Sequence, residues 1–372
     1  MVDIGPRIKL ARAKAQMSLR KLADKVGVTP MAISKFERGE AAPRQSTLLH
    51  LARALSVNPE YFFREIRVET LAPAYRKQSK LGQKAQEGIE ATIIDAVERY
   101  LAVEQIFPED LGTAHNLPRF QIGNVDDAEG VADELRKLWD LGLGPIEDLS
   151  GRLEDHGIKV ISLDGPGGFD GFSFWANGEL PVIAFSKRAP GDRQRFSVAH
   201  ELGHLVVQMS SSVDAEKAAH RFAAAFLVPA TSAYSELGRK RTNLSFDELL
   251  LLKLEYGMSV QAWIRRAADL DIISQPTYSS LHRRLAMLGW RTVEPGGVHQ
   301  EEPRRLALLV HHALAENLIT PAYAETLLGE AATDKALHAG SLTEPSPAVV
   351  REYQENDELT VSVGVDFDDY DD

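Results

Sequence analysis

The stretch that most constrains the backbone is His200-Glu201-Leu202-Gly203-His204. Two imidazoles four residues apart share one face of an α-helix, where both can reach a single ion. Val198, Leu202, Val206 and Met209 fall on the opposite face, so a helix over 193–209 has one buried side and one chemical side. With 11 histidines and 54 acids in 372 residues, a His-acid-x-x-His pattern is expected by chance about 0.05 times. The chain has no cysteine, which excludes disulfides and thiolate metal sites, so a zinc ion must be held by histidine and carboxylate.

A third protein ligand is needed, and the next helical stretch, 214–228, offers Glu216 and His220 four residues apart. Glu216 is the expected ligand, with Asp214 and His220 as rivals. His220 is alternatively an oxyanion stabiliser or a packing residue. Glu201 is the expected general base, taking a proton from water and passing it to the leaving amine. Upstream, 128–139 and 145–156 read as amphipathic helices, and 158–163, 171–175 and 181–185 as short strands between Gly-rich turns.

The formal net charge of -12 argues against a chain that coats nucleic acid or anionic membrane along its whole surface. Residues 1–65 depart from that average: twelve Lys and Arg against six Asp and Glu make the segment about +6. Ser18 opens one short helix there, Gly27 supplies a turn, and Thr29 caps a second helix running to Arg38. Two helices joined this tightly form a helix-turn-helix. Its second helix would offer Thr29, Pro30, Met31, Ser34 and Lys35 to base edges in the major groove, with Arg20, Lys21 and Arg38 on phosphate. Docking of a protein on the same bundle is the alternative.

A connector helix is expected over 87–107, followed by a linker rich in Pro, Gly and Asn over 108–127. The helix, Gly-turn, helix pattern recurs at 247–270, but acids outnumber bases there. Packing against the neighbouring domain is therefore expected over a second DNA reader, with Trp263 and Trp290 in the core. Glu355–Asp372 holds eight acids and no base, the composition of a solvated tail. No apolar stretch at the N-terminus resembles a signal sequence, and no run approaches the roughly 20 residues that span a bilayer. A cytoplasmic location without a membrane partner is expected.

Two resemblances carry further expectations. Leu22-Ala23, Gly27-Val28, Ile33-Ser34, Phe36-Glu37-Arg38-Gly39 and Pro43 resemble the Cro/lambda-repressor (XRE) helix-turn-helix family over residues 4–63. Asp192 through His204, Glu216, Ala219 through Ala223 and Phe226-Leu227-Val228-Pro229, with the strand residues upstream, resemble the ImmA/IrrE metallopeptidases over 135–229. The second resemblance implies zinc on His200, His204 and Glu216 with Glu201 catalytic, and a helix-turn-helix repressor as the cleaved substrate, relieving repression of phage, mobile-element or stress genes.

The fold class expected is α+β, mostly α. A five-helix Cro/lambda-repressor-like bundle (1–66) is followed by a connector and linker (67–127). A zincin-like α+β metallopeptidase domain (128–235), a helical region (236–330) and an acidic tail (331–372) complete it. The expected partners are a double-stranded DNA operator, a repressor substrate or the product of a neighbouring gene, and a second copy of the chain in a homodimer. The alternative function is a regulator or antitoxin-like module whose metal site cleaves nothing.

Overall fold

The computed structural model describes residues 3–68, 82–107, 117–209, 213–291 and 293–329. The chain divides into two compact units, Met1–Leu309 and Val310–Asp372. The architecture is α+β and mostly helical.

The basic N-terminal segment folds as α1 (Gly5–Lys14), α2 (Leu19–Val26), α3 (Pro30–Glu37) and α4 (Gln45–Ala54), closed by a 3-10 turn at Pro59–Phe63. The fifth helix of the expected bundle is thus a single tight turn begun by Pro59. Ser18 Oγ accepts the Lys21 N–H to start α2, Gly27 ends it at φ 75°, and Thr29 Oγ1 accepts the Ala32 N–H to start α3. Ile8, Leu22, Ala23, Ile33, Leu51 and Phe62 fill the core. Glu37 is bonded bidentately by Arg12, at 2.5 and 3.0 Å, and so belongs to the scaffold.

Helix α5 (Gln83–Glu104) docks this bundle onto the rest of the unit. On one side it meets α1, where Arg7, only 2% exposed, binds both Glu98 oxygens at 2.5 and 3.0 Å. Arg7 also donates to the carbonyls of Arg64 and Glu65, and Lys14 reaches Asp95 at 2.6 Å. Gly88 lets the helices close, since a Cβ there would lie 3.1 Å from the Ala13 carbonyl. The opposite face of α5 buries Ile89, Ile93, Ile94 and Val97 against a three-stranded sheet.

That sheet comprises β2 (Lys159–Leu163), β3 (Gly171–Ala176) and β4 (Leu180–Ser186) in the order β2-β4-β3. β2 runs parallel to β4 in the register Lys159↔Val182, and β3 antiparallel to it with Gly171↔Phe185. β4 is buried along its whole length, as a central strand covered on both faces must be. Val182 and Ala184 face α5, whereas Ile183 and Phe185 face the larger core.

The larger core is built on α6 (Asp127–Leu138), α7 (Leu149–Asp155), α8 (Gly191–Val206) and α9 (Ala215–Leu227). α7 starts four residues later than the periodicity suggests, because Asp148 accepts the Gly151 N–H as its cap. Two strands lie where none was expected: β1 (Phe120–Ile122), inside the supposed linker, pairs in parallel with β5 (Val207–Met209), inside the supposed end of the histidine helix. Val-Gln-Met prolongs a helical apolar pattern equally well, and only pairing with β1 decides its conformation.

After α10 (Ala230–Leu237), helices α11 (Phe246–Tyr256), α12 (Val260–Asp269) and α13 (Gln275–Met287) join the same core through Leu249, Leu252, Ile264, Leu281, Leu285 and a fully buried Trp263. These helices pack on the neighbouring core. Fully buried Arg266 ties α12 to α6 and α9 through both oxygens of Glu129 and the Val228 carbonyl.

An extended strap at 294–304 then crosses the N-terminal end of α8. Glu294 accepts the N–H groups of Val260 and Gln261 at 2.8 and 3.0 Å, and Glu301 accepts from Ser150 N and from Arg195 at 2.8 and 2.5 Å. A Cβ on Gly191 would collide with the carbonyls of Val298 and His299. Helix α14 (Arg305–Ala315) opens with its Arg304 and Arg305 N–H groups on Glu154. In the second unit, Thr320 caps α15 (Pro321–Leu328). No helix among the described residues is long and apolar enough to cross a membrane.

Candidate metal centre and nucleic-acid surface

Helix α8 turns Val198, Ala199, Leu202, Leu205 and Val206 into the core and leaves His200, Glu201 and His204 on the face toward α9 and β3. Gly203 permits close approach of α9, since a Cβ there would lie 3.0 Å from the Phe222 ring and 3.3 Å from Ala219 Cα. The alanines of α9 narrow the gap further, with Ala218, Ala219 and Ala223 all buried. Glu216, in the first turn of α9, is thereby delivered to the two histidines.

His200 Nε2 and His204 Nε2 lie 3.1 Å apart, and each is 3.4 Å from an oxygen of Glu216. Among the described residues this is the one His/Asp/Glu group whose ligand atoms converge, all within 4.8 Å of one another. Tetrahedral zinc with bonds of about 2.0–2.1 Å sets neighbouring donors about 3.3 Å apart, so the triangle fits such an ion. Burial pushes the His200 pKa down to about 3, reinforced by repulsion from His204 and His220, and burial also lowers that of His204. Both rings are thus neutral near pH 7, with lone pairs able to ligate. His200 Nδ1 is buried and has no hydrogen-bond partner among the described residues.

Glu201 reaches toward β3. Its Oε2 accepts a 2.7 Å hydrogen bond from Ser173 Oγ, and a Cβ on Gly171 would lie 3.0 Å from its Cγ. Burial pushes the Glu201 pKa up to about 7, opposed by the Ser173 hydrogen bonds, with the Glu216 charge adding to the rise. A carboxyl poised there can both take and give a proton near neutral pH. Ser173 was missed in the sequence, and the legible hint was that alternation puts 171, 173 and 175 on one face of the strand.

Of the rival ligands, Asp214 caps α9 by accepting the Lys217 N–H. The His220 ring sits 4.5 Å from that of His200 and 5.7 Å from that of Phe196, outside the donor triangle. It is adjacent to the convergent group of His200, His204 and Glu216.

On the N-terminal bundle, Arg20, Lys21, Thr29, Pro30, Met31, Lys35 and Arg38 are exposed and Ser34 half-buried. Met31 is 66% exposed in the first turn of α3. Arg38 is engaged with both oxygens of Glu40 and with Ser34 Oγ.

Fold and site together define a helix-turn-helix bundle joined to an α+β domain with a two-histidine, one-carboxylate centre. Comparison with known proteins agrees on both halves. Residues 8–62 match the family model described as helix-turn-helix, and residues 153–267 the peptidase-family model described as IrrE N-terminal-like domain. The chain carries an XRE-type helix-turn-helix domain of the transcriptional-regulator kind and an IrrE/ImmA-like domain of a metallopeptidase-like family.

Over 61 residues it is 38% identical to repressor protein C2 of Salmonella phage P22, covering 16% of this chain and 28% of that protein. It is 33% identical over 64 residues to an uncharacterized HTH-type transcriptional regulator of Sinorhizobium medicae (strain WSM419), covering 17% and 46%. Multiprotein-bridging factor 1 of Candida albicans is 39% identical over 56 residues, covering 15% and 37%. The chain spans less than half the length of each of these relatives.

Proposed function

We propose that this protein is a transcriptional regulator that binds a double-stranded DNA operator through residues 1–66 and, with a zinc-dependent endopeptidase site at 200–216, cleaves a helix-turn-helix repressor to relieve repression. The observation that carries the catalytic half is the convergence of His200, His204 and Glu216, with Glu201 beside them on the same helix. His200, His204 and Glu216 would hold the ion, which when bound supplies a Lewis acid and makes water acidic enough to ionise near neutral pH.

The chain's own groups do the rest. Ser173 fixes one oxygen of Glu201, leaving the other to take a proton from the attacking water and hand it to the departing amine. His220, at the rim beside His200, steadies the negative charge that develops on the carbonyl oxygen. On DNA, Thr29, Pro30, Met31, Ser34 and Lys35 meet base edges while Arg20, Lys21 and Arg38 meet phosphate, Arg38 exchanging its Glu40 partner for the backbone. A homodimer on a two-fold operator, acting in the cytoplasm, completes the reading.

The test is a pair of measurements on wild type and Glu201→Ala. Both are expected to hold about one zinc by elemental analysis, with cleavage of a co-expressed repressor lost in the variant. Equal cleavage by the two proteins would overturn the mechanism.

A further inference from the structure

The wall of the site beyond Glu201 carries a cation that the proposed chemistry does not use. Arg119 immediately precedes β1, and pairing of Phe120 with Val207 places it at the C-terminal end of α8, just past His204. Its guanidinium lies 3.8 Å from the centroid of the Trp175 ring, on which it is stacked. Its Nη2 donates one long hydrogen bond, 3.5 Å, to the Gly178 carbonyl. Arg119 is exposed and has no carboxylate partner among the described residues. Stacking fixes the plane of a guanidinium and leaves its edge N–H groups directed outward, the arrangement that receives a carboxylate bidentately.

Trp175 stands on the same face of β3 as Gly171 and Ser173, toward the core that contains α8. Along that face, Ser173 marks the proton-transfer position and Trp175 lies two residues, roughly 6.6 Å, further on. β3 is an edge strand of its sheet among the described residues. An extended polypeptide added to such an edge offers alternate side chains to one face, and the antiparallel arrangement is slightly the more stable.

We propose that Arg119 and Trp175 form a subsite for an acidic side chain of an extended peptide paired antiparallel to β3. The acid sits two residues before the residue that faces Ser173. This deepens the peptidase reading and rests on it for the identity of the ligand as a substrate.

The experiment uses the full chain with zinc added and N-acetylated, C-amidated ten-residue peptides, uncharged except for one Glu, Gln or Lys moved along the sequence. Binding is measured on the Glu201→Gln protein. At one register, Glu peptides are expected to bind about fivefold more tightly than their Gln counterparts, the worth of roughly 1 kcal/mol for a partly exposed ion pair. Arg119→Ala should abolish the preference, Arg119→Glu should transfer it to Lys, and Trp175→Leu should weaken it with Arg119 still present. A Glu preference that survives Arg119→Ala, or no dependence on the position of Glu, overturns the subsite.

Wild-type protein incubated with the same peptides separates the two readings. If the acid preference follows Arg119 but no peptide is cut, the peptidase reading falls and the subsite stands. Cleavage that ignores the acid leaves the peptidase and removes the subsite.

Discussion

Removing Arg7 tests whether the helix-turn-helix bundle and the IrrE/ImmA-like domain are fastened together as the structure has them. The guanidinium is 2% exposed, satisfies both oxygens of Glu98 and donates to two main-chain carbonyls. Arg7→Ala leaves the Glu98 carboxylate, 11% exposed, with the Arg67 N–H at 3.1 Å but without its two hydrogen bonds from Arg7, and leaves the Arg64 and Glu65 carbonyls without theirs. Breaking a buried pair from one side costs about 3–5 kcal/mol. Taking about 4 kcal/mol, opening of α1 from α5 becomes roughly 10³ times more favourable.

Hydrogen exchange read by mass spectrometry measures this directly, since the amides of α1 lose protection while those of α8 keep theirs. Glu98→Gln is expected to cost about 3 kcal/mol for the converse reason, an uncompensated buried cation. The double variant Arg7→Met/Glu98→Leu should cost less than the sum of its parts by about 2 kcal/mol. Additivity within about 0.5 kcal/mol would refute the claim that these side chains act as a pair.

Other expectations follow from single contacts. Ser173→Ala removes the hydroxyl that holds Glu201 and should lower cleavage about tenfold at unchanged zinc content, with Ser173→Thr restoring most of it; falling zinc content in the alanine variant would mean a scaffold role instead. The Asp95 pKa is net lowered: burial raises it, and the nearby Lys14 and Arg99 charges outweigh that effect. Its folded value lies below the unfolded value of about 3.9, so its contribution is present above that pH and lost as pH falls through the folded value. Lys14→Ala should therefore flatten the acid limb of the stability curve, and an unchanged limb in urea titrations at several pH values would count against the pair. Trp263→Ala empties the centre of the helical region and should cost about 3–5 kcal/mol, measured by urea denaturation.

What was legible in the sequence was local or periodic. His200, Glu201 and His204 follow from four-residue spacing, Glu216 from the acid opening the next amphipathic stretch, and β2 to β4 from short apolar runs between Gly-rich turns. The features that escaped are set by contacts distant in the chain. Val207–Met209 becomes a strand only because Phe120–Ile122 lies beside it, and Ser173 reaches Glu201 across 28 residues. Arg7, Arg136 and Arg266 are buried against carbonyls and carboxylates, which no hydropathy pattern anticipates. Glu294 and Glu301, in a stretch rich in Pro and Gly, read as surface acids until the helix N-termini they cap are in view.

The passage from α8 to β5 has no loop. Val207 is both the residue that ends the helix and the first to pair with β1, three positions after His204. Rotational phase on one side and strand alternation on the other are therefore locked to each other. A single residue inserted between 204 and 207 would turn the helix by about 100° relative to the strand, or else move every β5 side chain to the wrong face. The interval is intolerant of length change in a way that surface turns are not, and lineages that keep the site should vary the letters there but never their number.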